Sequence, residues 1–183
     1  MADKKENTNN NDLKQNFLSN AITDISAYIQ LADTKVSIVM AAVVAILVGI
    51  VTCYEPILKM IADIKPCSWI GVLFAISTLV MVVGIISVFV FGILTIKGHS
   101  CVINYKSKWF LTKTTKEYSF EEFSKDIQKM DDKDIIENMT AELYKLNDIN
   151  RQKMKTMKWT IHSFSLLLIS MAVAAGLLVV NLL

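Results

Sequence analysis

Helix breakers are scarce in this chain: its 183 residues include only two prolines and six glycines. That excludes collagen-like and Pro/Gly-rich disordered classes. Charge is thin as well, at 20% against roughly 25% for a soluble domain. A net charge of +2 gives no whole-chain argument for nucleic acid, and none is expected as a partner. There are two histidines and three cysteines, with no CxxC, HExxH or CxxH spacing for a metal. GxSxG, P-loop and GxGxxG motifs are missing too. The acidic cluster Asp131-Asp132-Asp134 suits helix capping better than a metal site. We therefore expect no enzyme, no metal and no cofactor.

What the chain does have is apolar sequence, sharply segregated. Val36–Tyr54, Trp69–Ile96 and Trp159–Leu183 contain no Asp, Glu, Lys or Arg, so all 36 charges fall in the remaining 111 residues. A bilayer core of about 30 Å needs roughly 20 apolar residues in a helix. A soluble core helix would show a polar stripe over such a length, and VSIVMAAVVAILVGIVTC shows none. Three transmembrane helices follow, with the lipid bilayer as first partner. Thirty-five residues precede the first window and Cys53-Tyr54-Glu55-Pro56 follows it, which does not fit a cleaved signal peptide.

Lys and Arg set the orientation. Residues 1–35 carry four, 55–68 two and 97–158 thirteen. The basic excess predicts a cytoplasmic N-terminus and a cytoplasmic 97–158 insert, with 55–68 outside. Residues 1–12 read as a disordered tail. Leu13, Phe17, Ala21, Ile25, Tyr28 and Ala32 recur at helical spacing, predicting an amphipathic helix that leads into the first span. Pro56 and Pro66 bracket the outer loop. Trp109-Phe110-Leu111 suits an interfacial anchor. Ser119-Phe120-Glu121-Glu122 is a capping box for a short helix, and Asp131 with Asp134 opens another. No Pro or Gly interrupts 132–175, so one helix of roughly 75 Å, at 1.5 Å per residue, is expected to run from the cytoplasm through the third span.

The fold class is thus an all-α membrane protein. Its spans are about 36–54, 69–96 and 159–182, it has a helical insert, and residues 13–183 form a single domain. Small residues at Ser37, Ala41, Ala45 and Gly49, and at Ser170, Ala172, Ala174 and Gly176, suit close helix packing. Packing within one chain is favoured over a seam between copies. Asp33 and Lys35 stand before the first span, and Arg151, Lys153, Lys155 and Lys158 before the third. Asp33 has Lys153 as its simplest partner, against a reading in which the lysines reach headgroups and Asp33 is solvated. His162 reads as an interfacial or interhelical hydrogen bonder. Cys53 and Cys67 fit two thiols better than an outer disulfide.

LADTKVSIVM at 31–40 resembles the ADTKxS signature of the Pycsar transmembrane effector family. Leu143-Tyr144-Lys145-Leu146-Asn147-Asp148-Ile149-Asn150-Arg151-Gln152-Lys153 is similar to that family's Leu-x-x-Ile-x-x-x-Lys element before its last span. Trp109-Phe110 and Ser119-Phe120-Glu121-Glu122-Phe123 stand where the family has an aromatic segment and a short helix. The resemblance implies a bacterial antiphage effector in the cell membrane. A neighbouring cyclase would make cyclic CMP or cyclic UMP on infection, and the effector would then impair membrane integrity. It makes Asp33, Thr34, Lys35, Ser37, Leu146, Ile149 and Lys153 the signature positions. A separate jelly-roll sensor does not fit into 62 residues, so a nucleotide would have to use bases among Arg151, Lys153 and Lys155 where copies of the chain meet. The competing readings are a non-disrupting scaffold or immunity subunit and a small channel component.

Overall fold

The structure, a computed structural model, describes residues 2–62, 64, 68–97 and 119–182. Among these there are five helices: α1 Ala2–Thr52, α2 Tyr54–Ala62, α3 Trp69–Ile96, α4 Phe120–Gln128 and α5 Asp132–Leu182. No described residue is in a strand. Three helices are long and apolar enough to cross a membrane, within Asn10–Thr52, Trp69–Ile96 and Asp132–Asn181.

Local sequence explains the ends. Ser119 Oγ accepts from the Glu122 amide, and the Glu122 carboxylate accepts from the Ser119 amide, closing the expected capping box on α4. Asp131 Oδ1 accepts from the Asp134 amide at 2.8 Å and caps α5. α5 then runs without a break to Leu182, as a stretch lacking Pro and Gly up to Gly176 allows. One expectation needs correcting. The stretch 1–12, read as a disordered tail, is helical from Ala2. Without a breaker, the helix set up by Leu13 and beyond extends backwards with no new nucleation cost. Pro56, expected at a helix end, sits in the first turn of the short helix α2, where its missing N–H is harmless. Pro66, Cys67, His99, Cys101 and Trp109-Phe110-Leu111 lie outside the described residues. Cys53 carries a free, exposed thiol.

By internal contacts the chain divides into two compact units. The polar unit comprises Met1–Gln30 and His99–Arg151, and the apolar unit Leu31–Gly98 and Gln152–Leu183. In the polar unit Leu18, Asn138, Met139 and Glu142 are buried. Asn11 donates to Asp132 there, and Leu13, Phe17 and Leu18 line a shallow groove with Ile136 and Thr140.

In the apolar unit, three contacts rise together along α1 and α5. Asp33 meets Lys153, Ala32 and Val36 cluster with Met157, and Val43 clusters with Leu167. The two helices are therefore parallel here. α3 runs antiparallel to α5: Ser77 pairs with Ser170, Gly84 faces Leu167, and Phe91 stacks on Trp159. Two parallel spans joined by one antiparallel span put residues 31 and 152 at the same end of this unit, as three crossings require.

Candidate functional site at the start of the first and third spans

Asp33 and Lys153 come from helices 120 residues apart in sequence. Lys153 Nζ donates to both carboxylate oxygens of Asp33, at 2.6 Å and 2.7 Å. Exposure is uneven: the lysine side chain is 6% accessible and the aspartate 35%. The backbone carbonyl of Asp33 also accepts from Ser37 Oγ at 2.9 Å. One turn further along each helix lie Val36 and Met157, packed with Ala32, Met40 and Met154. The pair thus borders an apolar cluster. It holds a buried ammonium on the carboxylate that alone gives it a charge partner at contact distance among the described residues. A charge-assisted contact of this kind fixes the register of two helices more than it adds net stability.

The other signature positions are arranged around it unevenly. Thr34, Lys35 and Ser37 are exposed, while Leu146 and Ile149 are half-buried in the polar unit. The three bases read as ligand contacts stand in different surroundings. Lys153 is engaged by Asp33, Arg151 lies 2.7 Å from Asp148, and Lys155 is exposed.

Of the small residues expected to pack within the chain, Ser170 does so, buried against Ser77, and most of the others do not. Ser37, Ala41, Ala45, Gly49, Ala172 and Gly176 are all exposed. A Cβ added at Gly49 or Gly176 would meet no described atom within 4 Å. Packing inside the chain uses a stripe that the sequence reading missed, on α3: Ser77, Gly84, Val88, Gly92 and Thr95. A Cβ at Gly84 would stand 3.3 Å from Leu167 Cβ, and one at Gly92 would stand 2.7 Å from Met40 Sδ. The signal was present: these five positions fall within an arc of about 80° on a helix. They were hidden because α3 is apolar on every side, and no polar face marks where its neighbours stand.

Buried hydroxyls in this unit satisfy themselves. Ser77 Oγ donates to the Ser170 carbonyl at 2.7 Å, Ser170 Oγ to Leu167, Thr95 to Phe91 and Thr160 to Thr156. Each spares lipid an unpaired donor.

Fold and site together define a class: an all-helical membrane protein with three apolar spans, the first and third clamped where they begin. A family model for the Pycsar effector protein domain (PycTM) matches residues 17–180. The chain belongs to this family, whose members are effectors of cyclic-nucleotide antiphage systems. No curated protein and no solved structure shows significant similarity to it.

Proposed function

We propose that this chain is the membrane effector of a cyclic-pyrimidine-nucleotide antiphage system, and that on activation it impairs the integrity of the bacterial cell membrane and aborts infection. The observation that carries the reading is the extent of the family match: residues 17–180 take in all three apolar helices, so the effector domain is itself the membrane body. A soluble sensor with an incidental anchor would not look like this. The basic excess in 1–35 and 97–158 supports a cytoplasmic position for both, where cyclic CMP or cyclic UMP from a neighbouring cyclase would act. The ligand must favour the disruptive state over the resting one, and several copies acting together would make that response steep. An effector of this kind needs no reaction, metal or cofactor of its own.

The test is expression with and without an active pyrimidine cyclase, following membrane potential with a voltage-sensitive dye. Depolarisation that requires the cyclase supports the reading. A chain that inserts normally yet never depolarises the cell is instead a scaffold or immunity subunit.

A further inference from the structure

α1 and α5 both pass from the polar to the apolar unit beside one contact. The apolar unit begins at Leu31 on α1 and at Gln152 on α5, and neither helix breaks there. Asp33 and Lys153 stand just beyond those points, joined by their ion pair. The first apolar cluster of the unit, Ala32, Val36 and Met157, begins beside them. A shift carried along either helix from its polar half therefore meets this pair before the deeper contact of Val43 with Leu167.

The pair differs from that deeper packing in how it can be undone. Lys153 is buried and has its charge partner in Asp33, while the Asp33 carboxylate is partly exposed. An apolar contact at this place would hold the helices at least as well, because replacing a buried ion pair by apolar groups is often neutral or stabilising. It would not be released by water. An ion pair is: both partners are hydrated when the helices part, and hydration offsets much of the lost attraction. The deeper layer has no such exchange. Val43, Val88 and Leu167 are fully buried and apolar, and Ser77 is bonded to the Ser170 carbonyl. The ends where the first and third spans begin can thus part while the layer beyond them stays packed.

We infer that Asp33–Lys153 is a latch: closed, it holds the starting ends of the two spans together in the resting chain, and its release is the step that activates the chain. What activation then does rests on the proposed function, whereas the opening itself does not.

The experiment uses the full chain with Cys53, Cys67 and Cys101 replaced by serine and Met157→Cys as the reporter, at a position 7% exposed. Labelling by a charged maleimide is followed in membrane fragments open on both faces. Asp33→Ala strands the buried ammonium in the closed state, so labelling should rise about a hundredfold. Lys153→Met strands no buried charge and should raise it about fivefold or less, and Asp33→Ala/Lys153→Met should fall back to that level. A cross-link between Gly84→Cys and Leu167→Cys checks the deeper layer, since a Cβ at Gly84 stands 3.3 Å from Leu167 Cβ. It should form equally with and without Asp33→Ala. In cells lacking the cyclase, Asp33→Ala should depolarise the membrane and Asp33→Ala/Lys153→Met should not. A merely structural pair predicts the reverse, an Asp33→Ala chain that is silent even with the cyclase. Labelling unchanged by Asp33→Ala, equally fast labelling in Lys153→Met or in the double variant, or loss of the deeper cross-link would each overturn the latch. So would a silent Asp33→Ala where the unsubstituted chain depolarises with the cyclase. The expected labelling pattern with no depolarisation by any chain, cyclase present or absent, would support the opening and overturn the proposed function instead.

Discussion

The two compact units draw on the same two long helices, yet bury different kinds of polar group. In the apolar unit the buried neutral polar residues are hydroxyls, Ser77, Thr95, Thr160 and Ser170, each bonded to a carbonyl. The polar unit buries an amide and a carboxylate, Asn138 and Glu142. Glu142 Oε2 makes no hydrogen bond among the described residues, and neither does Asn150 Oδ1. A hydroxyl can return to its own helix's carbonyl, so it survives where no water reaches. An amide or carboxylate needs an external partner and is at home beside water. Where the apolar unit does bury a charge, Lys153, it supplies a carboxylate gripping it with both oxygens.

That contrast breaks most severely at Asp33. Asp33→Ala leaves a 6% exposed ammonium without its partner, and loss of one member of a buried pair costs about 3–5 kcal/mol. Lys153→Met leaves a carboxylate already 35% exposed and adds a thioether beside Met154 and Met157, so about 1 kcal/mol is expected. SDS-titration unfolding in mild detergent should rank them in that order, and Asp33→Ala/Lys153→Met should recover most of the larger loss. Equal single-mutant effects would mean that the difference in burial is not what sets the cost.

The next effect concerns glycine. Gly84→Leu must displace Leu167, whose Cα as well as Cβ is close, and overpacking of this kind costs about 1–3 kcal/mol. Gly92→Ala meets chiefly the flexible end of Met40 and should cost less. Gly49→Ala meets nothing and should be neutral or slightly stabilising, by up to about 1 kcal/mol through the unfolded state. The same unfolding titration separates the three.

These positions also mark how far the sequence could be read. The three spans were legible because charge is missing from three windows, a signal that does not depend on register. Asp33–Lys153 was legible only as one of two readings, because juxtamembrane lysines can equally reach headgroups. The α4 and α5 starts were legible because caps are local chemistry. The face of α3 was not, since a helix apolar all round gives no periodicity to show which side is covered. The exposure of Ser37, Ala41, Ala45, Gly49, Ala172 and Gly176 was illegible for the same reason: a small residue suits a neighbour in the same chain or in another equally well.

A smaller effect tests the hydroxyl rule. Ser77→Ala removes the bond to the Ser170 carbonyl, while Ser170 keeps its bond to Leu167. Interhelical hydrogen bonds in membranes average about 0.6 kcal/mol, so a loss well below that of Gly84→Leu is expected. Unfolding midpoints compared at matched detergent would show it.

The smallest effect is the sharpest test, because the same operation gives a different result in the other unit. Glu142→Leu, like Asp33→Ala, takes a carboxylate from a lysine. Glu142 is 4% exposed, and Lys145 Nζ stands 3.6 Å from Oε2, beyond hydrogen-bonding distance. The lysine is 20% exposed and its stem can carry the ammonium to water. The substitution therefore exchanges a poorly satisfied buried carboxylate for an apolar side chain of similar size and strands no charge. Stability should change by less than about 1 kcal/mol, and a gain is consistent with what such replacements do elsewhere. A loss approaching that of Asp33→Ala would show that Glu142 holds an essential contact, and that the polar unit depends on its buried charge as the apolar unit does. Near-neutrality would confine that dependence to the pair where the first and third spans begin.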